Sequence, residues 1–324
     1  MFNLVEKRRW FFIISAFLIV PGLLAMVYST ITTGAPFRLS IDFVGGSIYD
    51  LSFFETGITE NNIREAFAEY DDRSLTVQRL TLDDGSERWS VRGSFLEQEQ
   101  TEQILDNLNQ FSLLDRERTQ IERVSETIGA EVGRAAFFAV LAASFIVSFF
   151  IIIAFRTVPN ALRYGLSAIA AMVHDVLVVM GLASIMGLFF GWEVDALFLT
   201  AVLTVLAYSV QDSIVLFDRI RENIPQYLGE PYETIVNRSI WETIHRSLAT
   251  QLNAFFIMAA ILLFGGETIK QFIAILFIGL VSGTYSSIFT AAPLLVAWEK
   301  GELPFMSRIG GLLPSPLPLE NDGV

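Results

Sequence analysis

Six long apolar runs constrain this chain more than any other feature. They cover residues 10–28, 135–155, 164–186, 196–217, 244–264 and about 270–298. A bilayer's hydrocarbon core needs about 20 residues of helix to cross it. Each run meets that length or approaches it closely. Of the 324 residues 52% are hydrophobic and the mean hydropathy is +0.50, which is too apolar for a water-soluble domain of this size. The expected frame is therefore a helical multi-pass membrane protein. Lys7-Arg8-Arg9 precedes the first run. That run is long for a signal peptide and no small-x-small cleavage site follows it, so it reads as an uncleaved first span. Pro21-Gly22 within it is a candidate kink.

Between the first two runs lies a polar segment, residues 31–126. From Arg38 to Glu126 it holds 19 acidic and 9 basic residues, a net of −10 out of −13 for the whole chain. Residues 47–54 read as a strand. Thr59 then offers an N-cap to a helix reaching about Tyr70, with Ile63 and Phe67 on one face. Residues 75–80 and 88–92 alternate around Asp83-Asp84-Gly85, a hairpin. A helix over 98–108 and a strand over 111–124 follow. The order β-α-β-β-α-β is that of a ferredoxin-like α+β domain. Its acids read as a solvated surface, and no catalytic constellation is visible.

The second polar feature lies inside the fourth run. Asp212 is an intramembrane acid, and such residues are expensive in hydrocarbon and functional by default. Tyr208 and Ser209 precede it at helical spacing. The alternative is that Asp212 only holds helices together, as polar side chains in membranes do. The charged run Asp218-Arg219-Ile220-Arg221-Glu222-Asn223 marks the water boundary. Arg246 begins the fifth run at a depth comparable to Asp212. Burial and a neighbouring arginine act in opposite senses on a carboxylate's proton affinity. A motion that changed the Asp212–Arg246 separation would load or release a proton, each worth about 2.3 kcal/mol per 100 mV of membrane potential. Anchoring by a snorkelling side chain is the competing reading of Arg246. His174-Asp175, in the third run, is either a relay or a satisfied structural pair. Thr284, Tyr285, Ser286 and Ser287 make the sixth run too polar for a lipid-facing helix and read mainly as packing groups.

Tyr208-Ser209-Val210-Gln211-Asp212-Ser213, followed by Asp218-Arg219-Ile220-Arg221-Glu222-Asn223, resembles the signature of SecF in the SecD/SecF family of bacterial protein-export proteins. Ala207, Gln211 and Ser213 stand where that signature has Gly, Asn and Thr. Asp42-Phe43-Val44-Gly45-Gly46 resembles the motif that opens the family's extracytoplasmic regions. Read from the residues alone it is a strand-entry turn, since paired glycines suit a tight bend. The likeness extends to Leu263-Phe264-Gly265-Gly266-Glu267 and to the Gly283–Pro293 stretch. It implies half of an RND-type transporter that pairs with SecD and couples proton flow to a late step of export. The implied partners are SecD, the SecYEG translocon and its SecA-dependent pathway, YajC, exported polypeptides and lipid. The proton is the only coupling species implied; no cofactor or metal is.

Charge and composition bound the rest. Without cysteine there is no disulfide or thiolate chemistry, two histidines do not make a multi-histidine metal site, and the negative charge disfavours nucleic acid. Arginines gather in the loops between spans two and three and between spans four and five, together with Lys7, Arg8 and Arg9. By the positive-inside rule both termini are then cytoplasmic and residues 31–126 extracytoplasmic. Residues 218–245 are expected to be a cytoplasmic amphipathic segment, with a surface helix over 232–245. The tail over 299–324, rich in proline and glycine, is expected to lack fixed structure. The leading expectation is a non-enzymatic, proton-coupled export subunit of the inner membrane. The alternatives are a structural assembly subunit and a half-transporter for hydrophobic molecules. An outer domain of about 95 residues leaves little room for the pocket the last would need.

Overall fold

The computed structural model describes residues 3–54, 57–70, 75–81, 87–156 and 161–302. The hairpin turn expected at Asp83-Asp84-Gly85 and the tail from residue 303 onward lie outside them. In chain order the elements are α1 (Arg8–Thr33), α2 (Ile41–Val44), β1 (Gly46–Ser52), α3 (Glu60–Phe67), β2 (Thr76–Thr81), β3 (Glu87–Gly93), α4 (Gln98–Phe111), β4 (Gln120–Val124), α5 (Glu126–Ala154), α6 (Ala161–Phe190), α7 (Ala196–Gln226), α8 (Tyr232–Phe264) and α9 (Glu267–Ser286). A π-helical turn, Ser287–Ala291, then leads into α10 (Ala292–Glu299). The chain divides into two compact units, Leu39–Phe138 and Met1–Arg38 with Ala139–Val324.

The smaller unit is a four-stranded antiparallel sheet in the order β2-β3-β1-β4, the ferredoxin-like arrangement expected from the strand and helix pattern. Alternation puts one set of side chains on one face. Tyr49 pairs with Val91 and with Ile121, and Leu51 pairs with Trp89. Ile63 and Phe67 from α3 and Ile104, Leu105 and Leu108 from α4 close over that face into one core. Burying each such large side chain contributes about 1.5–3 kcal/mol. Thr59 caps α3 through a reciprocal capping box with Asn62. The last strand is shorter than the 111–124 expected. Asp115 accepts the backbone N–H groups of Glu117 and Arg118 and turns the chain, so pairing starts only at Gln120.

Asp42-Phe43-Val44-Gly45-Gly46 forms the short helix α2 and then the entry to β1. Gly45 and Gly46 sit at φ +79° and +133°, where side chains are strained. A Cβ on Gly45 would lie 2.7 Å from the Glu126 backbone, and one on Gly129 would lie 2.7 Å from the Gly45 nitrogen. The glycines therefore serve a close backbone approach as well as a turn.

Six helical segments are long and apolar enough to cross a membrane, among the described residues. They leave Phe17, Phe145, Phe256 and other large apolar side chains exposed, as lipid contact requires. At the centre α6, α7 and α9 pack on one another, α1 lies on α6, and α8 lies on α7 and α9. Gly279 and Gly283, one turn apart, bring α9 onto α7. A Cβ on Gly279 would meet the Val205 side chain at 2.1 Å, and one on Gly283 would lie 3.4 Å from Ser209 Cα. Small residues at this spacing are how membrane helices approach closely.

The helices run past the apolar limits. The expected surface helix over 232–245 is no separate element: it is the first part of the 33-residue α8, continuous with the fifth span. Hydropathy marks where the apolar stretch stops, not where the backbone hydrogen-bond ladder stops. At the end of the bundle that carries the chain's first residues, ion pairs tie the elements together. Arg8 bonds Glu302 through Nε at 2.9 Å and lies 3.5 Å from Glu233, Lys300 pairs with Glu233, and Arg163 pairs with Glu299. Hydrogen bonding to Arg8 holds the Glu302 carboxyl below its ordinary value.

The α7–α9 contact yields a test. Gly279→Leu should destabilise the protein by about 1–3 kcal/mol through overpacking against Val205, and Val205→Ala in the same chain should recover part of the loss. Thermal unfolding in detergent measures both. Unchanged stability in Gly279→Leu would contradict this packing.

Candidate functional site

The buried face of α7 is an apolar stripe interrupted by polar groups. Asp195 caps the helix, accepting the Phe198 N–H at 2.7 Å. Phe198, Val202, Val205, Ser209, Asp212, Leu216 and Ile220 follow at helical spacing, all buried. Asp212 Oδ2 accepts a hydrogen bond from Gln251 Nε2 at 2.6 Å, and Ser247, one turn earlier on α8, bonds the same carboxylate. Ser213 Oγ donates to the Ser209 carbonyl at 3.2 Å, while Ser209 Oγ is buried with no hydrogen-bond partner among the described residues.

Arg246 does not join Asp212. Three bonds set the antiparallel register of α7 and α8: Asn223 with Ser239 at 2.9 Å, Arg219 with Glu242 at 2.6 Å, and Asp212 with Gln251. In that register Arg246 lies level with Leu216, one helical turn or about 6 Å from the level of Asp212. Its side chain is exposed. Estimating depth from the apolar start of the fifth run missed this offset because α8 begins well before that run. The residues that do meet Asp212, Ser247 and Gln251, carried a readable signal: two polar groups four residues apart in an apolar span.

The Asp218–Asn223 motif is the clasp below this level. Arg221 pairs with Asp218 at 2.5 Å, Arg219 with Glu222 at 2.9 Å, and buried Asn223 donates to Ser239 and, at 2.8 Å, to Glu242. Gln211 points away from Asp212 and is exposed. With Thr200, Leu203, Thr204, Ala207 and the half-buried Tyr208 it lines a shallow open groove on the outside of α7.

A second polar centre lies between α6 and α9. Asp175 is fully buried. Its Oδ1 accepts from Ser282 Oγ at 2.6 Å and lies 3.1 Å from His174 Nδ1; its Oδ2 accepts from Ser286 Oγ at 2.6 Å. The imidazole stacks on Tyr285, with centroids 5.8 Å apart. Tyr285 donates to the Phe11 carbonyl of α1 at 2.7 Å, and Thr284 and Ser287 bond their own helix backbone. Adjacent residues on a helix point about 100° apart, yet the His174 side chain folds back onto Asp175. Ser282 was not a candidate from sequence, although it stands four residues before Ser286, one that was. Neither Asp175 nor Asp212 has a lysine or arginine ion pair among the described residues.

Comparisons with known proteins meet this geometry. Residues 103–301 match the family model "Protein export membrane protein SecD/SecF, C-terminal". A protein translocase subunit SecF of Anaerolinea thermophila is 45% identical over 303 residues, 93% of this chain and 96% of its own length. One from Thermobaculum terrenum is 39% identical over 310 residues, 92% and 94% of the two chains. The crystal structure of SecDF, a translocon-associated membrane protein from Thermus thermophilus, superposes with a TM-score of 0.74 at 29% identity. That match takes in 92% of this chain and 39% of the solved one.

The register makes a quantitative prediction. A double-mutant cycle on stability in detergent should give Asp212 and Gln251 a coupling of about 0.6–1.7 kcal/mol, the range for hydrogen bonds between membrane helices. The cycle between Asp212 and Arg246 should give close to none. Stronger coupling to Arg246 would overturn the register.

Proposed function

This chain belongs to the SecD/SecF family of protein-export membrane proteins, and on that premise we propose that it carries protons on Asp212 to drive a late step of export. The coarser role is that of its relatives: an accessory subunit of the Sec translocase, in a multi-pass inner-membrane protein. The observation that carries the finer reading is Asp212 itself. It is a carboxylate buried in mid-span and held by neutral donors, with no lysine or arginine ion pair among the described residues. A group so placed is costly in its charged form and is relieved by taking up a proton. Gln251 and Ser247 orient it through bonds that a modest shift of α8 would exchange. Arg246, one turn away on the same helix, is near enough for such a shift to alter its distance from the carboxylate.

SecD is the proposed partner, and the groove outside α7 supports it. Lipid cannot satisfy the amide of Gln211 or the hydroxyl of Tyr208, so a protein or water-lined wall belongs opposite them. The SecYEG translocon with its SecA-dependent pathway, and YajC, are proposed as the wider context. Exported polypeptides would be handled by the ferredoxin-like unit on the outer side, with both termini in the cytoplasm. Protons are the only coupling species this reading needs, and it assigns the chain no enzymatic step.

Asp212→Asn keeps the shape of the neutral acid and cannot ionise. Export into energised membrane vesicles carrying it should lose its dependence on membrane potential, while Asp212→Glu should keep part of it. If Asp212 were only interhelical glue, asparagine would still bond Gln251. Potential dependence at the wild-type level in Asp212→Asn would then remove the proton-carrier role.

A further inference from the structure

The centre at Asp175 is not used by the mechanism above. It is one of the most deeply buried ionisable groups in the larger unit and lies among hydroxyls rather than cations. The groups facing it can be named element by element. From α6 itself comes His174, and from α9 come Ser282, Ser286 and the ring of Tyr285 beyond His174. From α7 comes the backbone at Ser209, one turn from Asp212, with Gly283 between: a Cβ on Gly283 would lie 3.6 Å from Asp175 Oδ2 and 3.4 Å from Ser209 Cα. From α1 comes Ser15, which bonds Tyr285 and Thr290 and is not ionisable.

Two buried polar atoms beside this cluster, His174 Nε2 and Ser209 Oγ, have no hydrogen-bond partner among the described residues. The first bears on charge. With Nδ1–H donating to Asp175, a neutral imidazole leaves Nε2 as a bare lone pair, whereas a protonated ring leaves a buried N–H donor unsatisfied. The ring is thus a poor permanent counter-ion. With Asp175 ionised and His174 neutral the centre holds one uncompensated negative charge within the membrane span, the costly case for a buried carboxylate. Uptake of one proton by the pair removes it.

The structure also provides for the change of hydrogen bonds. Ser286 Oγ is 2.6 Å from Asp175 Oδ2 and 3.2 Å from the Gly283 carbonyl. A carboxylate accepts the Ser286 O–H. A carboxylic acid needs an acceptor instead. When a proton adds to Oδ2, forming an O–H bond, the new acid can donate to Ser286 Oγ, and the serine hydroxyl can turn to Gly283. Asp175 Oδ2 and Ser286 Oγ both stay paired through the exchange. Ser286 is also the last residue of α9 before the π-helical turn Ser287–Ala291, a rare conformation that recurs at functional sites.

We propose that Asp175, paired with His174, is a second proton-binding site of this protein, and that Ser286 passes its charge state to the π turn of the last span. The inference stands apart from whether Asp212 drives export, because its test reads protonation directly.

The experiment is pH-difference infrared spectroscopy of the full-length chain in lipid bilayers, in an Asp212→Asn background that removes the first site. On acidification a carboxylic-acid C=O component should persist at higher frequency than the bands of the solvated surface carboxyls, as a buried acid gives. Adding Asp175→Asn should abolish it. Adding Ser286→Ala should keep the band but move it to higher frequency, because the acid loses its acceptor. Identical difference spectra with and without Asp175→Asn would overturn the proposal. Should Asp175→Asn fail to fold, Ser286→Ala and His174→Gln still decide: if neither changes the band, Asp175 is not its source.

Discussion

A bilayer cannot solvate a carboxylate, and this larger unit buries two, Asp175 and Asp212, among the described residues. That constraint accounts for the arrangement of its central helices. Asp212 must have donors, so α8 lies along α7 in the register that delivers Gln251 and Ser247. Asp175 must have donors, so α9 presents Ser282 and Ser286 to α6. Both requirements meet at α7 and α9, where Gly279 and Gly283 let the backbones come together. Neutral donors hold the two acids in place without fixing their charge. A lysine or arginine in direct contact would have locked each acid as an anion. The absence of such a contact among the described residues is what leaves protonation available as a variable.

The same helices are tied firmly at one end. Arg219 and Asn223 clasp α7 to α8, and Arg8, Arg163 and Lys300 join the first and last spans to the starts of α6 and α8. Arg8 and Arg163 are buried, Arg219 is half-buried and Lys300 is exposed; exposed ion pairs contribute little individually, but here several pairs converge on a few helix ends. The acids lie beyond the clasp, in the part of the bundle where hydroxyl and amide partners can be exchanged.

Much of this was legible in the sequence. Six apolar runs of spanning length and a βαββαβ alternation settle the architecture, because bilayer thickness and sheet pleat each impose a period. Asp212 and Asp175 stood out because acids are rare in such runs. What was not legible depended on helix register. Arg246 looked level with Asp212 when depth was counted from the edge of the apolar run, yet α8 starts at Tyr232 and the clasp at Asn223 and Ser239 sets the pairing one turn away. Gln251 and Ser282 were overlooked as single polar residues, although each stands four residues from another polar group that shares its acid. The π turn also had a mark in the chain. Pro293 has no N–H to give to the Phe289 carbonyl, and the helix reseats just before it. The short last strand was set by Asp115, whose side chain competes with the ladder for backbone N–H groups.

The central claim is that Asp212 takes up and releases protons as part of the working cycle. Proton flux measures it most directly. The chain, reconstituted with SecD into liposomes enclosing a pH-sensitive dye, should admit protons when an inward-driving potential is applied. Asp212→Asn should reduce that flux to the level of empty liposomes, with the assembly intact by size-exclusion chromatography. Flux in Asp212→Asn equal to wild type would contradict the account.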